Sequence, residues 1–594
     1  MSTPKKRRTR AFLRLVGYLG LRKGTLAAVI VLFLVGSVSF ILLSVFLGFS
    51  VNALTGTIDL SALTRLALLM SAFAVLSFLC FFAGFRLLAQ VTQAALFRLR
   101  QDLFEHMQTL SLRFYDRQPI GELMSSVTND IDVVTAFFQQ PLGTLLMGLF
   151  MLATTLIAMF SLHVTLAAIA SIAIPLLIGL VFLLARVAGP AFVLLQERLA
   201  DLNGLLEETI AGERTLIAYR QQDTVTAKEE KVSEGARDVG SRAQISSLII
   251  YPLTLLVTNI DIALVALVGS VMIIHGNLSV GILTTFLSLT LLFVLPLVTI
   301  FANYNFILRA GVSASRIFAI LDEKPDIVDK PGAVEMKPVE GHVVFRDVNF
   351  SYVPGRQVLR NNSFEALPGQ MIGLCGPTGA GKSTIINILT RYYDIDSGSI
   401  EIDGQSIYDV TQASLRRQIG VVLQEPFLFT DTVMNNLRYG REDATDEECM
   451  AAAKDTRCHD FVIRLPEGYA TVLSDGGSNL SQGQRQLLTI ARAMISNPGI
   501  LILDEATSNV DTRTEKDIQA AIRKLQEGRT SFVIAHRLST IRNSHQILVI
   551  NNGEIVERGT HEQMMKARGF YYGLYMSQFK GRIAEILPGG GKEA

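Results

Sequence analysis

The sequence predicts an α-helical transmembrane domain of six spans followed by an α/β domain. Three observations lead to this prediction: long uncharged apolar runs fill the first half, hydropathy falls after Arg309, and residues 374–384 read LCGPTGAGKST. At 594 residues, the chain is too long for a single hydrophobic core. With 49% hydrophobic and 18% charged residues, it is also too apolar for two ordinary soluble domains.

The charge balance and the cysteine pattern limit the possible partners. The chain has 54 Lys and Arg residues against 53 Asp and Glu residues, so no global basic field favours nucleic acid as a partner. The cysteines show neither a paired framework nor the spacing of metal ligands. We interpret all four cysteines as reduced thiols, which indicates a cytosolic location for the soluble half: Cys80, Cys375, Cys449 and Cys458.

Residues 1–23 are predicted to form a cytoplasmic N-terminus. Residues 5–10 are basic, and the apolar region after them has no small-residue cleavage site, so it resembles an uncleaved anchor. Residues 11–23 alternate apolar side chains with Arg14, Arg22 and Lys23. This pattern suits a short helix in the lipid headgroup layer, although a simple lead-in to the first span fits it equally well.

Residues 24–309 are predicted to contain the six spans. Residues 24–58 carry no charge and form the first span, and residues 66–85 form the second, which stops at Arg86. Residues 133–185 are long enough for two spans, with a hairpin near residues 161–163. Residues 243–308 give two more, interrupted only by Asp261 and by a second hairpin at His275-Gly276-Asn277.

The distribution of Lys and Arg predicts the orientation. The connections at 51–61, 161–164 and 275–280 contain neither residue type, whereas 86–132 and 186–242 are rich in both. Both termini are therefore expected in the cytoplasm of a multi-pass protein of the inner (plasma) membrane. The two inner connections have helical apolar spacing, so we expect helices that extend into the cytosol. Their tips, at residues 111–123 and 211–221, are expected to touch a cytosolic domain, although ordinary solvated turns are the alternative.

The soluble half begins after a segment that the sequence marks as a linker. Residues 310–341 contain Pro325, Pro331 and Pro338, and residues 342–580 are predicted to form an α/β P-loop nucleotide-binding domain, followed by a tail at 581–594. Strand patterns occur at 343–352, 371–374, 500–504 and 532–535, and a helical pattern occurs at 382–391.

The segment LCGPTGAGKST predicts a binding loop for the phosphates of a nucleoside triphosphate. Gly376, Gly379 and Gly381 allow the backbone to curl with its N–H groups inward, at the start of a helix whose N-terminus attracts anions. Lys382 then brings a cation to the β- and γ-phosphates, and Ser383 offers a hydroxyl to magnesium.

Two later strand ends supply acid–base chemistry. The run ILILDE at 500–505 ends in Asp504, expected near magnesium, and Glu505, expected to orient or deprotonate the attacking water. His536 follows another apolar strand and is expected to reach a γ-phosphate. The alternative is a purely structural histidine. The phosphate loop and the acid pair in the same domain favour the functional role over this alternative.

These motifs together resemble the half-transporters of the ATP-binding cassette (ABC) exporter family, and the resemblance covers essentially the whole chain. It implies that Tyr352 stacks on adenine, that Gln424 is the Q-loop glutamine that senses magnesium, and that Asp511 lies in the D-loop. It further implies roles for the phosphate loop (Gly376, Pro377, Thr378, Gly379, Ala380, Gly381, Lys382, Ser383, Thr384), the signature (Ser481, Gly483, Gln484), the Walker B pair (Asp504, Glu505) and the switch histidine (His536).

What the resemblance implies is an ATP-driven exporter of amphipathic drugs or lipids that works as a dimer in the lipid bilayer. ATP and Mg²⁺ are its expected cofactors, with Mg²⁺ held by Ser383, Gln424 and Asp504, and the two inner tips resemble the family's coupling helices. An importer built on the exporter fold, or a lipid flippase, is an alternative. A second alternative is a regulatory or channel-like subunit that is gated by ATP. The presence of Glu505 argues against this alternative, because gating alone does not require rapid hydrolysis.

The signature departs from the family's usual LSGGQ, because residues 480–484 read LSQGQ. Ser481 precedes a helical run and suits an N-cap, and a second helix end that binds phosphate is most useful across a dimer interface. Gln482 replaces a glycine where the backbone approaches phosphate, so it is expected to weaken that contact. This favours a heterodimer whose partner has an intact signature but a weak Walker B base, and the segment is similar to the competent subunit of bacterial heterodimeric multidrug exporters. A homodimer remains the alternative.

Asp261 is the one carboxylate expected in mid-span. A charged group there costs about 2.5–3.5 kcal/mol on insertion scales, so it is expected to face the transport pathway, with Asn259, Asn303 and Asn305 sharing the polar lining. A structural aspartate, protonated or bonded to a neighbouring helix, is the alternative.

Overall fold

The computed structural model describes residues 4–55, 59–474, 476–504, 512–535 and 538–577. It divides into two compact units. The first comprises Met1–Thr109 and Pro119–Glu323, and the second comprises Leu110–Gln118 and Lys324–Ala594.

The first unit is helical throughout its described elements, apart from a 3₁₀ turn at Gly20–Arg22 and a π turn at Ser126–Asp130. Its helices are α1 (Pro4–Leu19), α2 (Lys23–Leu54), α3 (Leu60–Thr109), α5 (Ile120–Ser125), α6 (Ile131–Gln139), α7 (Pro141–Leu162), α8 (Val164–Ala170), α9 (Ala173–Ala211), α10 (Glu213–Tyr219), α11 (Gln222–Leu248), α12 (Ile250–Ile274), α13 (Val280–Ala302) and α14 (Tyr304–Leu321). Helix α4 (Leu112–Arg117) belongs to the second unit.

Five helical stretches among the described residues are long and apolar enough to cross a membrane: Lys23–Leu54, Leu60–Thr109, Ile120–Leu162, Pro252–Ile274 and Val280–Ile300. A shorter apolar stretch, Val164–Leu180, lies where the second span of residues 133–185 is expected. The α-helical transmembrane domain is therefore confirmed, while the count of six spans stays a prediction.

Helices α2 and α3 pack through small residues. A Cβ atom on Gly84 would lie 2.6 Å from Cε1 of Phe33, whose ring is fully buried. The hydroxyl of Ser77 donates a 3.0 Å hydrogen bond to the carbonyl of Gly36. Because lipid tails are as apolar as leucine, such close packing and interhelical hydrogen bonds hold membrane helices together.

Asn52 joins two of the three predicted outer connections, 51–61 and 275–280. Its side-chain oxygen accepts a 2.7 Å hydrogen bond from the backbone N–H of Gly281, and its amide nitrogen donates to Ser279 at 3.1 Å. A Cβ atom on Gly281 would lie 2.1 Å from the carbonyl oxygen of Gly48, so the backbones of α2 and α13 touch there.

Helix α14 extends further than the sequence indicated. It continues to Leu321, so the first part of the segment predicted as a linker, residues 310–341, is helical. The cause is a stripe at helical spacing, Ala310, Ala314, Ile317 and Phe318, all of which are buried.

The second unit contains two sheets. One has four antiparallel strands in the order β2-β1-β4-β5, and the other has six strands in the order β10-β9-β3-β8-β7-β6, parallel except for β10. The strands are β1 (Val343–Val353), β2 (Arg356–Ala366), β3 (Met371–Cys375), β4 (Ser397–Ile402), β5 (Gln405–Ser406), β6 (Ile419–Val422), β7 (Ile500–Asp504), β8 (Thr530–Ile534), β9 (Gln546–Asn551) and β10 (Glu554–Gly559).

Helices surround these sheets, and the predicted strands and helix of this half are confirmed. The helices are α15 (Lys382–Leu389), α16 (Gln412–Arg417), α17 (Val433–Arg438), α18 (Asp446–Asp455), α19 (His459–Val462), α20 (Gln482–Ile495), α21 (Thr512–Gln526), α22 (Leu538–Ile541) and α23 (His561–Ala567). All five residues of β8 are buried, as expected for a central parallel strand covered on both faces.

Candidate functional site

The loop between β3 and α15 has the geometry of a phosphate cradle. Gly376 touches the neighbouring strand, because a Cβ atom there would lie 2.0 Å from the carbonyl oxygen of Ile550. Gly379 has φ +80° and a Cβ atom on it would meet no atom within 4 Å, so this part of the loop is open. Pro377, Thr378 and Gly379 are exposed, whereas Ala380 and Thr384 are buried, so the curl of the loop faces outward while its base packs on the core.

The side chain of Lys382 lies where it can bind an anion. Its ammonium group donates 2.9 Å hydrogen bonds to the carbonyl oxygens of Gly376 and Pro377, and the side chain is 8% exposed. A buried ammonium beside loop carbonyls at a helix N-terminus fits the β- and γ-phosphates of ATP. Ser383, the next residue, is exposed and able to offer its hydroxyl to a metal ion.

Tyr352 is held beside the phosphate loop by α15. Its hydroxyl lies 3.3 Å from the hydroxyl of Thr384 and accepts a 3.1 Å hydrogen bond from the amide of Asn387. The ring is half-buried, which is compatible with the predicted contact to adenine.

The carboxyl ends of the parallel strands bring several predicted residues to one edge of the sheet. Val422 pairs with Leu503, and Asp504 pairs with Ile534, which also pairs with Leu374. Asp504, the exposed Gln424 after β6 and the phosphate loop after β3 therefore share this edge. In an α/β sheet, this edge is where ligands bind.

The donor set fits Mg²⁺ held together with phosphate. No group of three or more His, Cys, Asp or Glu residues in the described ranges has the geometry to hold a metal ion. Mg²⁺ bound mainly through phosphates requires only one or two carboxylates, so Asp504 with Ser383 and Gln424 suffices. Glu505, Asp511 and His536 lie outside the described residues, and their predicted roles stay predictions.

The signature segment caps α20 as the sequence predicted. Ser481 is the N-cap: its hydroxyl accepts a 3.3 Å hydrogen bond from the N–H of Gln484, whose side chain accepts a 2.9 Å bond from the N–H of Ser481. This reciprocal pair is a capping box. Gly483 is buried and Gln482, the first helical residue, is half-buried, so the glutamine side chain lies at the helix end that a phosphate would approach.

Helix α4 packs on the nucleotide-binding half, within the second unit. Phe114 is buried, and the hydroxyl of Tyr393 donates a short hydrogen bond to the carboxylate of Asp116. The guanidinium of Arg113 lies 5.6 Å from the centroid of the Tyr393 ring. Burial, followed by the bond to Asp116, raises the pKa of Tyr393, so the hydroxyl remains a donor.

Tyr393 links this contact to the nucleotide site, and sequence reasoning missed it. Its ring meets the ring of Tyr352 edge-to-face, with centroids 5.0 Å apart and planes at 89°. The available signal was the aromatic pair Tyr392-Tyr393 shortly after the end of α15, which the sequence alone does not connect to α4. The second predicted tip forms α10, which has no buried residue and exposes Ile217 and Tyr219.

The structure describes three of the four polar side chains predicted to line the transport pathway: Asp261, Asn259 and Asn303. Asp261 is 4% exposed, and its Oδ2 atom is buried without a hydrogen-bond partner in the described part of the chain. Asn259 is exposed, so it points away from Asp261. Asn303 donates a 2.8 Å hydrogen bond to the carbonyl of Thr299, and the side chain of Asn305 lies outside the described set.

All four cysteines are free and buried, which confirms the prediction of unpaired thiols. Cys375 directly precedes the phosphate loop, and burial raises the pKa of its thiol to about 12, against a smaller opposing effect of Lys382. A buried thiol in this protonation state is chemically inert.

Comparison with known proteins gives one family for both halves. The family described as the ABC transporter transmembrane region matches residues 26–297, and that described as ABC transporter matches residues 359–508. The chain is similar to the uncharacterized ABC transporter ATP-binding protein YfiC of Bacillus subtilis (strain 168), with 38% identity over 567 residues, 96% of this chain and 94% of that protein.

Two other relatives carry names that describe a transported compound. The fatty acid ABC transporter ATP-binding/permease protein of Mycobacterium bovis is 38% identical over 515 residues, 87% of this chain and 81% of its own. The ATP-dependent lipid A-core flippase of Syntrophus aciditrophicus is 36% identical over 495 residues, 83% of this chain and 82% of its own.

Proposed function

This chain belongs to the ABC transporter family, and from that premise we propose that it exports amphipathic compounds, drugs or lipids, as one half of a dimer. It is an ATPase coupled to transport and a multi-pass inner-membrane protein with a cytoplasmic ATPase domain. The observation that carries the proposal is the junction at Tyr393, which contacts Tyr352 beside the phosphate loop and Asp116 on α4. Helix α4 follows α3 in the chain, so movement at the nucleotide reaches α3 through the covalent connection between the two helices.

Each predicted residue of the nucleotide-binding domain has a separate role in ATP hydrolysis. ATP, when bound with Mg²⁺, supplies the phosphoryl group that is transferred to water. With nucleotide bound, Lys382 would exchange its hydrogen bonds to the carbonyls of Gly376 and Pro377 for bonds to phosphate oxygens, and Ser383, Gln424 and Asp504 would hold the metal ion. Glu505 removes a proton from the attacking water, and His536 contacts the γ-phosphate.

The signature acts on the nucleotide of the other subunit. Ser481 and the N-terminus of α20 form an anion-binding helix end, and the phosphate loop of the same chain already covers one side of its own nucleotide. Two chains that close head to tail supply each nucleotide with both surfaces. The dimer is therefore part of the mechanism.

We further propose that the partner is a different half-transporter. Gln482 places a side chain at the helix end that approaches phosphate, and this weakens the half-site that the chain offers to its partner. Glu505 and His536 serve the chain's own nucleotide. A partner with an intact signature and a weak base completes one hydrolytic site and leaves one site that mainly holds ATP.

Lipid translocation is the second candidate for the transported compound. Relatives named for fatty acid and for lipid A-core cover most of this chain, and both of those compounds are amphipathic. An importer built on the same fold remains the alternative for the direction of transport.

Flux in inside-out membrane vesicles tests the function and its direction. A fluorescent cationic drug and a fluorescent phospholipid serve as the two probes, and the Glu505→Gln variant serves as the control without hydrolysis. We expect ATP-dependent accumulation of at least one probe when the unmodified chain is present together with its partner half-transporter, and none when the variant replaces it. The same probe is expected to stimulate ATP hydrolysis.

Two results contradict the proposal. ATP-dependent loss of a preloaded probe from inside-out vesicles shows an importer. ATP-dependent ion conductance without flux of any amphipathic probe shows a gated channel or a regulatory subunit.

A further inference from the structure

A cleft of about 280 Å³ lies between the end of α1 and the cytoplasmic part of α3. Apolar side chains line most of it, including Leu19, Val91 and Phe97, and the arginines at its rim are Arg22 and Arg98. It therefore combines an apolar surface with two cations.

The cleft lies at the membrane surface on the cytoplasmic side. Arg22 and Lys23 immediately precede the uncharged run of residues 24–58, so they mark the level where the hydrocarbon core begins. On the exposed side of α1, Leu13 is 65% and Val16 38% exposed, as expected for a helix that dips into the headgroup layer.

The chain segment that contains α1 carries only positive charges. Residues 1–58 contain no Asp or Glu, and their basic residues are Lys5, Lys6, Arg7, Arg8, Arg10, Arg14, Arg22 and Lys23. Basic residues at the cytoplasmic surface attract anionic lipids. Arg22 has no ion-pair partner in the described ranges of the chain, so its charge is available to a ligand.

The walls of the cleft are fixed by hydrogen bonds. Asp102 accepts a 3.0 Å hydrogen bond from the hydroxyl of Tyr18 on α1 and lies 3.1 Å from Nε of Arg98 on its own helix. Arg14 binds both carboxylate oxygens of Asp322, at 2.8 and 2.7 Å, and its guanidinium lies 4.2 Å from the ring centroid of Phe318. Helix α1 is thereby braced against α3 and α14, and the cleft is preformed.

We propose that this cleft binds one anionic phospholipid of the cytoplasmic leaflet, with the lipid phosphate at Arg22 and Arg98 and an acyl chain against Leu19, Val91 and Phe97. The apolar lining requires an acyl chain, which distinguishes a membrane lipid from free phosphate. None of the residues predicted for the transport pathway (Asp261, Asn259, Asn303 and Asn305) lines this cleft, so the proposal does not depend on which compound the protein transports.

A tryptophan reporter tests the site, because the chain contains no tryptophan. The Phe97→Trp variant places the reporter in the cleft, and Phe78→Trp, on the apolar part of α3 where Phe78 is 66% exposed, is the matched control. Each variant is placed in phosphatidylcholine nanodiscs that contain a small fraction of brominated phosphatidylglycerol or of brominated phosphatidylcholine. The lipid preference is the ratio of the two quenching signals.

We expect a preference for phosphatidylglycerol at Phe97→Trp and equal quenching at Phe78→Trp. Adding Arg22→Gln or Arg98→Gln to the cleft reporter should lower that preference about fivefold for each charge removed. Arg10→Gln removes the same charge from the exposed surface of α1 outside the cleft and should change the preference less than about twofold.

Three results overturn the proposal. Equal quenching by both lipids at Phe97→Trp shows that no anionic lipid is selected. A loss with Arg10→Gln as large as that with Arg22→Gln shows diffuse attraction to a basic surface. Removal of the quenching by excess inorganic phosphate shows that only the headgroup charge is recognised. If the tryptophan variants fail to fold, native mass spectrometry can count the phosphatidylglycerol molecules that the unmodified protein and Arg22→Gln retain. Equal retention by the two proteins also overturns the proposal.

Discussion

The hydroxyl of Tyr393 donates a hydrogen bond to the carboxylate of Asp116, joining two residues that are 277 positions apart in the chain. Tyr393 is 2% exposed and follows α15, the helix that begins at the phosphate loop, whereas Asp116 lies on α4. A hydrogen bond to a charged group contributes about 1.5–3 kcal/mol, and here it holds α4 against the nucleotide-binding half. This contact is therefore the element to remove when coupling is tested.

The Tyr393→Phe variant should lose coupling while it keeps nucleotide binding. The ring remains against Tyr352, so the affinity for ATP should stay within about twofold, but Asp116 loses its donor. We expect the number of compounds transported per ATP to fall at least about threefold, because α4 follows the cassette less tightly. Transport and hydrolysis measured together in proteoliposomes give this ratio.

Tyr392→Phe is the matched control for that experiment. Its ring lies 5.1 Å from the guanidinium carbon of Arg416, so the same hydroxyl is removed at a position away from α4. An equal loss of coupling in both variants would contradict the role of the Tyr393–Asp116 bond.

Local patterns explain why the strands and the loop that carry the predicted nucleotide site could be placed from the sequence. The glycine spacing of the phosphate loop and the apolar run of β7 each act over a few residues, and each is found where the sequence placed it. The Ser481 cap was predictable for the same reason, since a capping box depends on residues three apart.

Contacts between distant segments were not predictable. Nothing in the sequence near Tyr393 indicates that Asp116 will lie beside it, because that depends on how two whole segments pack. The same holds for Asp261 and Asn259: the sequence identified both as polar groups in a span, but only the packing of α12 buries the first and exposes the second.

The thiol of Cys375 should resist alkylation at alkaline pH. Its pKa in the folded protein is raised to about 12 by burial, from an ordinary value of 9.0. Because the folded pKa lies above the unfolded one, the contribution of this group to stability is fully present below about pH 9 and is lost as pH rises toward 12. A variant with Cys80→Ala, Cys449→Ala and Cys458→Ala leaves Cys375 as the single thiol.

Iodoacetamide labelling between pH 7 and 9 measures this effect. In denaturant the rate should rise about tenfold per pH unit until the free thiol ionises, whereas the native rate should stay far below it at every pH. A native rate that matches the denatured rate at each pH would show an accessible thiolate and contradict the burial of Cys375.

The Glu505→Gln variant should bind ATP and lose most hydrolysis. Glutamine keeps the shape of the side chain but accepts no proton from water, and general-base catalysis contributes about 10²–10⁴-fold. We expect ATP affinity within about twofold of the unmodified protein and a cassette dimer that stays closed. Hydrolysis in the variant at near-normal rate would place the base elsewhere in the chain.

Asp261→Asn tests whether the buried carboxyl serves transport. Asn keeps the size of the side chain and removes its charge, so recognition of a cationic substrate should weaken at least about tenfold if the carboxylate contacts it. Leu256→Ala, at an exposed position of α12 outside the predicted lining, is the control for general disturbance of the helix. Unchanged transport of every cationic probe by Asp261→Asn would leave this residue with a structural role only.

Gln482 should limit the rate of ATP hydrolysis when this chain forms a homodimer. In a homodimer both nucleotides face an altered signature, in which the first residue of α20 carries a side chain that the family's usual glycine lacks. The Gln482→Gly variant of the chain expressed alone should therefore hydrolyse ATP at least about fivefold faster than the unmodified chain, because phosphate then approaches the helix end directly. Gln412→Gly is the matched control, since Gln412 is also the first residue of a helix behind a capping threonine and lies outside the signature.

The oligomeric state by light scattering and the hydrolysis rate with and without a drug probe are measured on the same samples. A stable homodimer of the unmodified chain with full drug-stimulated hydrolysis and transport, unaffected by Gln482→Gly, would rule out the heterodimer; inactivity that is rescued by a second half-transporter with an intact signature is the result we expect.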